Sequence, residues 1–331
     1  HVHVHIHIHI HVHMLPHTNT ITYTRTTARN RTEPGLKNQH VECVKAAENI
    51  SNAEVKGLEK ASEELSFTPG EKINSSISSD IGTAGSVNLV LDTVLPVVAD
   101  TDRSLNAKIT GGTDVKWAPT SLYYNYVKAP LLEEIGLKID YNLAETGFYP
   151  KGGGLINADA ENSFDAEIDL SGRGDLERVE VFSKASKGLK SAQVAERQAN
   201  EAIEQLHSFK KVKCVKNVEY VDSESTGSVL LLKAVYEDSL AGFDCVGERG
   251  KSSEEVARQA FEQFKNFHES DGCVDRFMAD QLIVFGVLKG GKYSFPEMTS
   301  HIESSVELVK NFGFDVSIDL SRPAPVISFN S

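Results

Sequence analysis

Three observations predict a mixed α/β or α+β fold. Stretches of helical period alternate with stretches of strand character from about residue 39 onward, clusters of Gly, Pro and Ser separate them, and no apolar run is long enough to span a bilayer. The chain has 331 residues, 40% hydrophobic and 24% charged. That is the composition of a soluble globular protein, with room for about two domains of roughly 150 residues each.

The elements follow in order. In HVECVKAAENISNAEV, Val41, Val44, Ala47 and Ile50 recur at a helical spacing, and LEKASEELSFTPG ends in a turn. SSDIGTAGSVNLVLDTVLPVVAD is a small-residue turn leading into a buried helix, and NAKITGGTDVKWAP is a strand running into a glycine-rich turn. SLYYNYVKAPLLEEIGL is a second helix, interrupted or bounded at Pro130 because proline cannot donate to the helical ladder. KIDYNLAETGFYPKGGGLINADA is a strand, a tight turn and a second strand, with Gly152 to Gly154 giving the backbone room to bend.

Around residue 183 the character changes. SKGLKSAQVAERQANEAIEQLHSF is a charged helix whose inner face is Val194, Ala195, Ala199, Ile203 and Leu206. GSVLLLKAVYEDSLAGFDCVGERG reads as two strands, and SSEEVARQAFEQFKNFHES as a surface helix opened by a serine cap. Together they suit an inserted domain of roughly 90 residues. DRFMADQLIVFGVLKGG is then a mostly apolar helix carrying Asp280 and Gln281, and a carboxylate there needs a partner or solvent. In MTSHIESSVELVKNFGF, Ile302, Val306 and Val309 form an apolar stripe, Ser300 and Glu303 a capping box, and Gly313 a stop. His301 then lies in the first turn, where unpaired N–H groups and the helix dipole favour an anion; an exposed histidine at a helix end is the plainer alternative.

The start of the chain is different. HVHVHIHIHIHVH holds seven of the twelve histidines; as a strand it would place all of them on one face, able to clamp a transition metal, but as a two-letter tract it is first a compositional bias. Residues 1–27 are therefore set apart as an atypical His-rich low-complexity segment. The tract lacks the cationic start and continuous apolar stretch of a signal peptide. Cys43, Cys214, Cys245 and Cys273 lie far apart with no CxxC pair, which argues for reduced thiols and a cytoplasmic setting rather than a zinc knuckle or disulfide framework. A net charge of −13 excludes a global basic field for gripping long nucleic acid, though a nucleic-acid end could still enter a locally positive pocket.

Six segments, RTEPGLKNQH (31–40), DIGTAGSVNLVL (80–91), GGTD…AP (111–119), GFYPKGGG (147–154), ADQLIVF (279–285) and SHIESSVELVKNF (300–312), together resemble the RNA 3′-terminal phosphate cyclase family in order and spacing. The resemblance covers about residues 28 to 325. It implies an α+β fold: a large domain of repeated units, each a four-stranded sheet with two helices, over 28–182 and 275–331, and a smaller α/β domain inserted at 183–274. It also implies an ATP-dependent ligase that converts an RNA 3′-phosphate to a 2′,3′-cyclic phosphodiester. The implied partners are ATP and RNA 3′-phosphate ends, with Mg2+ or another divalent cation and no membrane. A non-catalytic cyclase-like protein of ribosomal RNA processing is the alternative, and retention of His301 favours the enzyme.

In this family a histidine at the position of His301 attacks the α-phosphorus of ATP, and the adenylyl group then passes to the RNA phosphate. FMADQ, Phe277 to Gln281 with Met278 and Ala279 between, matches the nucleotide-binding stretch. Phe277, where tyrosine is usual, and Pro119 would sandwich the adenine, and Asp280 would approach the metal or the phosphates. Arg31 and Gln39 match polar positions near the RNA phosphate, and Lys151 is a weaker candidate that also reads as a lysine on a hairpin. Asp92 stands where the family has a nucleotide-contacting glutamine, adding negative charge unless a metal or base contact absorbs it. The family's opening GEGGGQ-type loop is not present, and the histidine tract stands in its place.

Overall fold

The computed structural model describes residues 21–24 (as backbone), 35–70, 73–101, 103–163, 167–209 and 212–330. The histidine tract and Arg31 lie outside the described residues.

One strand topology recurs. β1 (Ile21–Thr24), β2 (Glu54–Lys56) and β3 (Glu64–Thr68) form an antiparallel sheet in the order β1-β3-β2, with α1 (Asn38–Ser51) between β1 and β2 in the chain. β4 (Ser76–Asp80), α2 (Val87–Asp100), β5 (Leu105–Gly111), the helix α3 (121–134), β6 (Leu137–Glu145) and β7 (Gly154–Asn162) follow. Their sheet runs β4-β5-β7-β6, with β4 parallel to β5 and the other pairs antiparallel. The parallel pair requires a crossover, which α2 supplies.

After β8 (Ile168–Leu170) the chain enters a second kind of sheet. β9 (Leu176–Ser186), α4 (Val194–Phe209), β10 (Lys213–Val221), β11 (Ser228–Tyr236), β12 (Leu240–Val246) and α5 (Ser253–His268) give the strand order β10-β9-β11-β12. β9 runs across the boundary expected at residue 183. The chain then returns through α6 (Arg276–Gln281), α7 (Ile283–Lys289), β13 (Gly291–Ser294), α8 (Ser300–Asn311), β14 (Val316–Asp319) and β15 (Val326–Phe329). With β8 these strands run β8-β13-β15-β14, β8 parallel to β13. This is the β4–β7 plan again, and β1-β3-β2 matches its last three strands. The mixed α/β architecture is as expected, and its repeat is carried by strand pairing rather than by residue identity.

Burial explains the elements. Every residue of α2 from Val87 to Ala99 is buried, which is why apolar residues fall on every side of that segment and its polar exceptions, Asn88, Asp92 and Thr93, each find a hydrogen-bond partner. Each such Val or Leu contributes about 1.5–3 kcal/mol on burial. In β11 the alternation divides two cores: Leu230, Leu232 and Ala234 pack with α4 and α5, whereas Val229 and Leu231 join the main core. The unbroken run GSVLLLKAVY is therefore a strand covered on both faces.

Three local expectations are corrected. α3 is not cut at Pro130: it runs through an α segment (Ser121–Tyr123), a π segment (Tyr124–Lys128) and a second α segment (Ala129–Glu134). The Ala129 N–H reaches back to the Tyr124 carbonyl, and Pro130 falls at the start of the next α segment, where it is tolerated. The apolar helix expected over residues 275–291 is two helices, α6 and α7, meeting at Leu282. α8 is capped by Thr299, whose Oγ1 accepts from the Ile302 N–H at 3.2 Å, so the Ser300–Glu303 box is not formed. His301 remains in the first turn, and Ile302, Val306 and Val309 are buried as expected.

Candidate active site

A cleft of about 720 Å³ opens where α2, α3, α6 and α8 of the main core face β12 and α5 of the β10-β9-β11-β12 system. Its size is that of a small-molecule site. The loop Val115–Thr120 forms one wall and is held by Asn88, which is fully buried. The Asn88 Nδ2 donates to the Pro119 carbonyl at 2.8 Å, while its Oδ1 accepts from the Tyr141 hydroxyl. Beside it, Asp114 is buried with Lys184, whose Nζ lies 2.8 Å from Oδ2. That pair joins the loop to β9, and so the two sheets to each other.

α6 forms the opposite wall, and its position is set by Asp275. This buried N-cap accepts from the Phe277 and Met278 N–H groups, from the Tyr123 hydroxyl and from the Gly242 N–H. One carboxylate thus joins α6, α3 and β12. Gly242 is required there because a Cβ would come within 2.6–2.9 Å of Val127 and the Tyr123 ring.

Most of the expected nucleotide residues converge here. Phe277, Asp280, Gln281, Pro119, Asp92 and His301 all line the cleft. Phe277 is 38% exposed, with the Arg276 guanidinium 4.7 Å from its ring centre. Met278 and Ala279 do not line it: both are fully buried, and the Ala279 carbonyl accepts from the Tyr293 hydroxyl. Their side chains pack in the core and anchor the turn. Gln39, at the start of α1, lies against Gly85 in the loop before α2 and away from the cleft lining. Lys151 is exposed, its N–H bonded to Ser225 Oγ. Arg31 lies outside the described residues.

Asp92 finds the basic contact its charge requires. Lys128 Nζ is 2.5 Å from Asp92 Oδ1, and the Tyr124 hydroxyl donates to the same oxygen at 2.9 Å. Lys128 also donates to Gln281 Oε1. Both members of the ion pair are almost wholly buried, and burial lowers the lysine pKa despite the opposing pull of Asp92. Asp280 is buried too, and desolvation pushes it up to about 6, against a hydrogen bond from Ser305 and the charge of Lys128. Among the described residues no group of three or more His, Cys, Asp or Glu could hold a metal by itself. A divalent cation would have to share Asp280 with phosphate oxygens, which is how Mg2+ is commonly held.

Sequence reasoning missed Lys128, Asp275, Arg276 and Ser305. For Lys128 there was a signal: four residues after Tyr124 in an apolar helix, a lysine needs an anion, and Asp92 needed a cation. The other three depend on contacts between elements.

The sequence profile described as RNA 3′-terminal phosphate cyclase matches residues 21–319. A Halobacterium salinarum protein named RNA 3′-terminal phosphate cyclase is 37% identical over 314 residues, covering 92% of this chain and 90% of its own length. Proteins of the same name from Saccharolobus islandicus and Saccharolobus solfataricus are 39% and 37% identical over 297 residues, covering 89% of this chain and 87% of each relative. A mixed α/β enzyme fold with a cleft between two sheet systems is the class these features define. The chain belongs to the RNA 3′-terminal phosphate cyclase family. No helix among its described residues is long and apolar enough to cross a membrane.

Proposed function

We propose that the protein is an ATP-dependent RNA 3′-phosphate cyclase that works through a histidyl–AMP intermediate, its main domain interrupted by an inserted α/β domain. The reading rests on one observation: His301, in the first turn of α8, lines the same cleft as Phe277, Pro119, Asp280 and Gln281.

A terminal phosphate is a poor electrophile because the neighbouring 2′-hydroxyl would have to expel oxide from it. Adenylation supplies a better leaving group. A neutral imidazole nitrogen of His301 attacks the α-phosphorus of ATP, forming a P–N bond as the P–O bond to pyrophosphate breaks. The RNA 3′-phosphate oxygen then takes the adenylyl group from His301. Finally the 2′-hydroxyl attacks the activated phosphorus, closes the ring, loses its proton and releases AMP. The cleft offers apolar faces at Phe277 and Pro119 for a base, and the N–H groups of the first turn of α8 for phosphate charge. Arg276 makes no ion pair among the described residues and adds a cation at the wall. When bound, a divalent cation would neutralise phosphate oxygens, with Asp280 as its protein ligand. Arg31 and Gln39 are assigned to the RNA phosphate on family resemblance alone, and the cytoplasm is the expected compartment.

Incubation with ATP labelled at the α-phosphate tests the reading. The expected product is an acid-labile, alkali-stable protein adduct that is absent in His301→Ala. No label on the wild-type protein overturns the mechanism and favours a non-catalytic cyclase-like role.

A further inference from the structure

Lys128 has no part in the chemistry just described, yet its burial and its setting require an explanation. It ends the π segment of α3, a rare geometry that is frequent at functional sites because it re-aims side chains. Its ammonium bridges two helices by donating to Asp92 on α2 and Gln281 on α6. All three residues line the cleft.

Hydrogen-bond chemistry determines what the bridge leaves over. Lys128 and Tyr124 both donate to Asp92 Oδ1, whereas Oδ2 makes no hydrogen bond among the described residues. Asp92, which lines the cleft, therefore keeps one oxygen free to accept. An ammonium can only donate, so Gln281 must meet it with Oε1. The Gln281 amide nitrogen, with two N–H donors, is then the end left for a ligand. Acceptor beside donor is the complement of a 6-aminopurine edge, whose amino group donates and whose ring nitrogen N1 accepts.

We propose that Lys128 is a positioning residue that sets Asp92 and Gln281 as an acceptor–donor pair selecting a 6-aminopurine nucleotide. The inference rests on the nucleotide reading of the cleft given above and adds the reason for its base selectivity. Without Lys128, Asp92 is an unpaired buried carboxylate and the Gln281 amide is free to turn over. Without both charges, the pocket keeps its volume and loses its discrimination.

Equilibrium binding of ATP and of purine riboside 5′-triphosphate, which lacks only the 6-amino group, tests this by calorimetry. Wild type is expected to bind ATP about 10-fold or more tighter, the scale of a hydrogen bond to a charged acceptor. Asp92→Leu/Lys128→Met, neutral and similar in volume, should fold and bind the two nucleotides equally. Lys128→Met alone should weaken ATP binding more than the double variant does. A purely structural role would lower the melting temperature and leave the ATP preference unchanged in the double variant, which overturns the inference. Wild type that binds both nucleotides equally overturns it while the nucleotide reading stands. Wild type that binds neither overturns that reading, and the inference falls with it.

Discussion

Ser305 Oγ lies 2.7 Å from Asp280 Oδ1 and 2.7 Å from the carbonyl oxygen of His301. One hydroxyl thus ties the first turn of α8 to α6. It has a single proton to donate. When Asp280 is ionised the proton suits the carboxylate; when Asp280 is protonated, its own O–H can donate to Ser305, which is then released to the His301 carbonyl. The charge state of Asp280 is in this way coupled to the turn that carries the candidate nucleophile.

Ser305→Ala should therefore do two things. Removing a hydrogen bond to a buried carboxylate should cost about 1–3 kcal/mol, read from denaturant unfolding. Labelling of His301 by ATP should slow by roughly 10-fold through lost alignment. Ser305→Thr, which keeps the hydroxyl, should preserve both; an equal loss in Ser305→Thr would exclude the hydroxyl as the cause.

Asp280 should have opposite effects on stability and on labelling by ATP as pH changes. Its carboxyl titrates at about 6 in the folded chain, raised by burial. A carboxyl raised above its unfolded value binds protons more tightly in the native state. Its contribution to stability is thus gained on acidification from about pH 6 to about pH 4 and lost as pH rises through that window. Adenylylation that uses the ionised form should instead fall as pH drops through 6. Asp244, half-buried at the same cleft and also raised to about 6 by desolvation, acts on stability in the same direction. In Asp280→Asn the stability slope over this window should become shallower by up to about one proton without vanishing. An unchanged slope would place the titration elsewhere.

Asp275 carries more structure than its position at a helix start suggests. Asp275→Ala would leave the Tyr123 hydroxyl and the Gly242, Phe277 and Met278 N–H groups without their acceptor. A loss of at least about 3 kcal/mol is expected, and Asp275→Asn should recover part of it. Thermal unfolding checks this, and a loss no larger than an exposed cap (~1 kcal/mol) would refute it.

Trp117 is the one tryptophan of the sequence; it lines the cleft, 73% exposed, with backbone φ of 68°. Its emission should change saturably as ATP is added, and the change should weaken in Phe277→Ala while surviving in Phe277→Tyr, which keeps the stacking face. An emission spectrum indifferent to ATP at concentrations that label His301 would place the nucleotide away from this loop.

Much of the fold could be read from local pattern. The mostly apolar run 87–99, the alternating strands on either side of GFYPKGGG and the serine cap at Ser252 each announce themselves, because burial and capping impose residue types at fixed spacing. The candidate site was legible as residues, and His301, Phe277, Asp280, Gln281, Pro119 and Asp92 do meet at one cleft. Met278 and Ala279 share the motif yet face the core, since successive helical residues point in different directions.

Period, turn chemistry and the Ser252 cap were within reach of the chain by itself, since each depends on neighbours a few residues away. What only the folded molecule decided was partnership: that Asp92 meets Lys128 across 36 positions, that Asp275 clasps both Tyr123 and Gly242, and that α3 widens into a π turn instead of ending at Pro130. A buried charge is tolerated only beside its counter-charge, and which residue supplies it is settled by how separate elements pack in space.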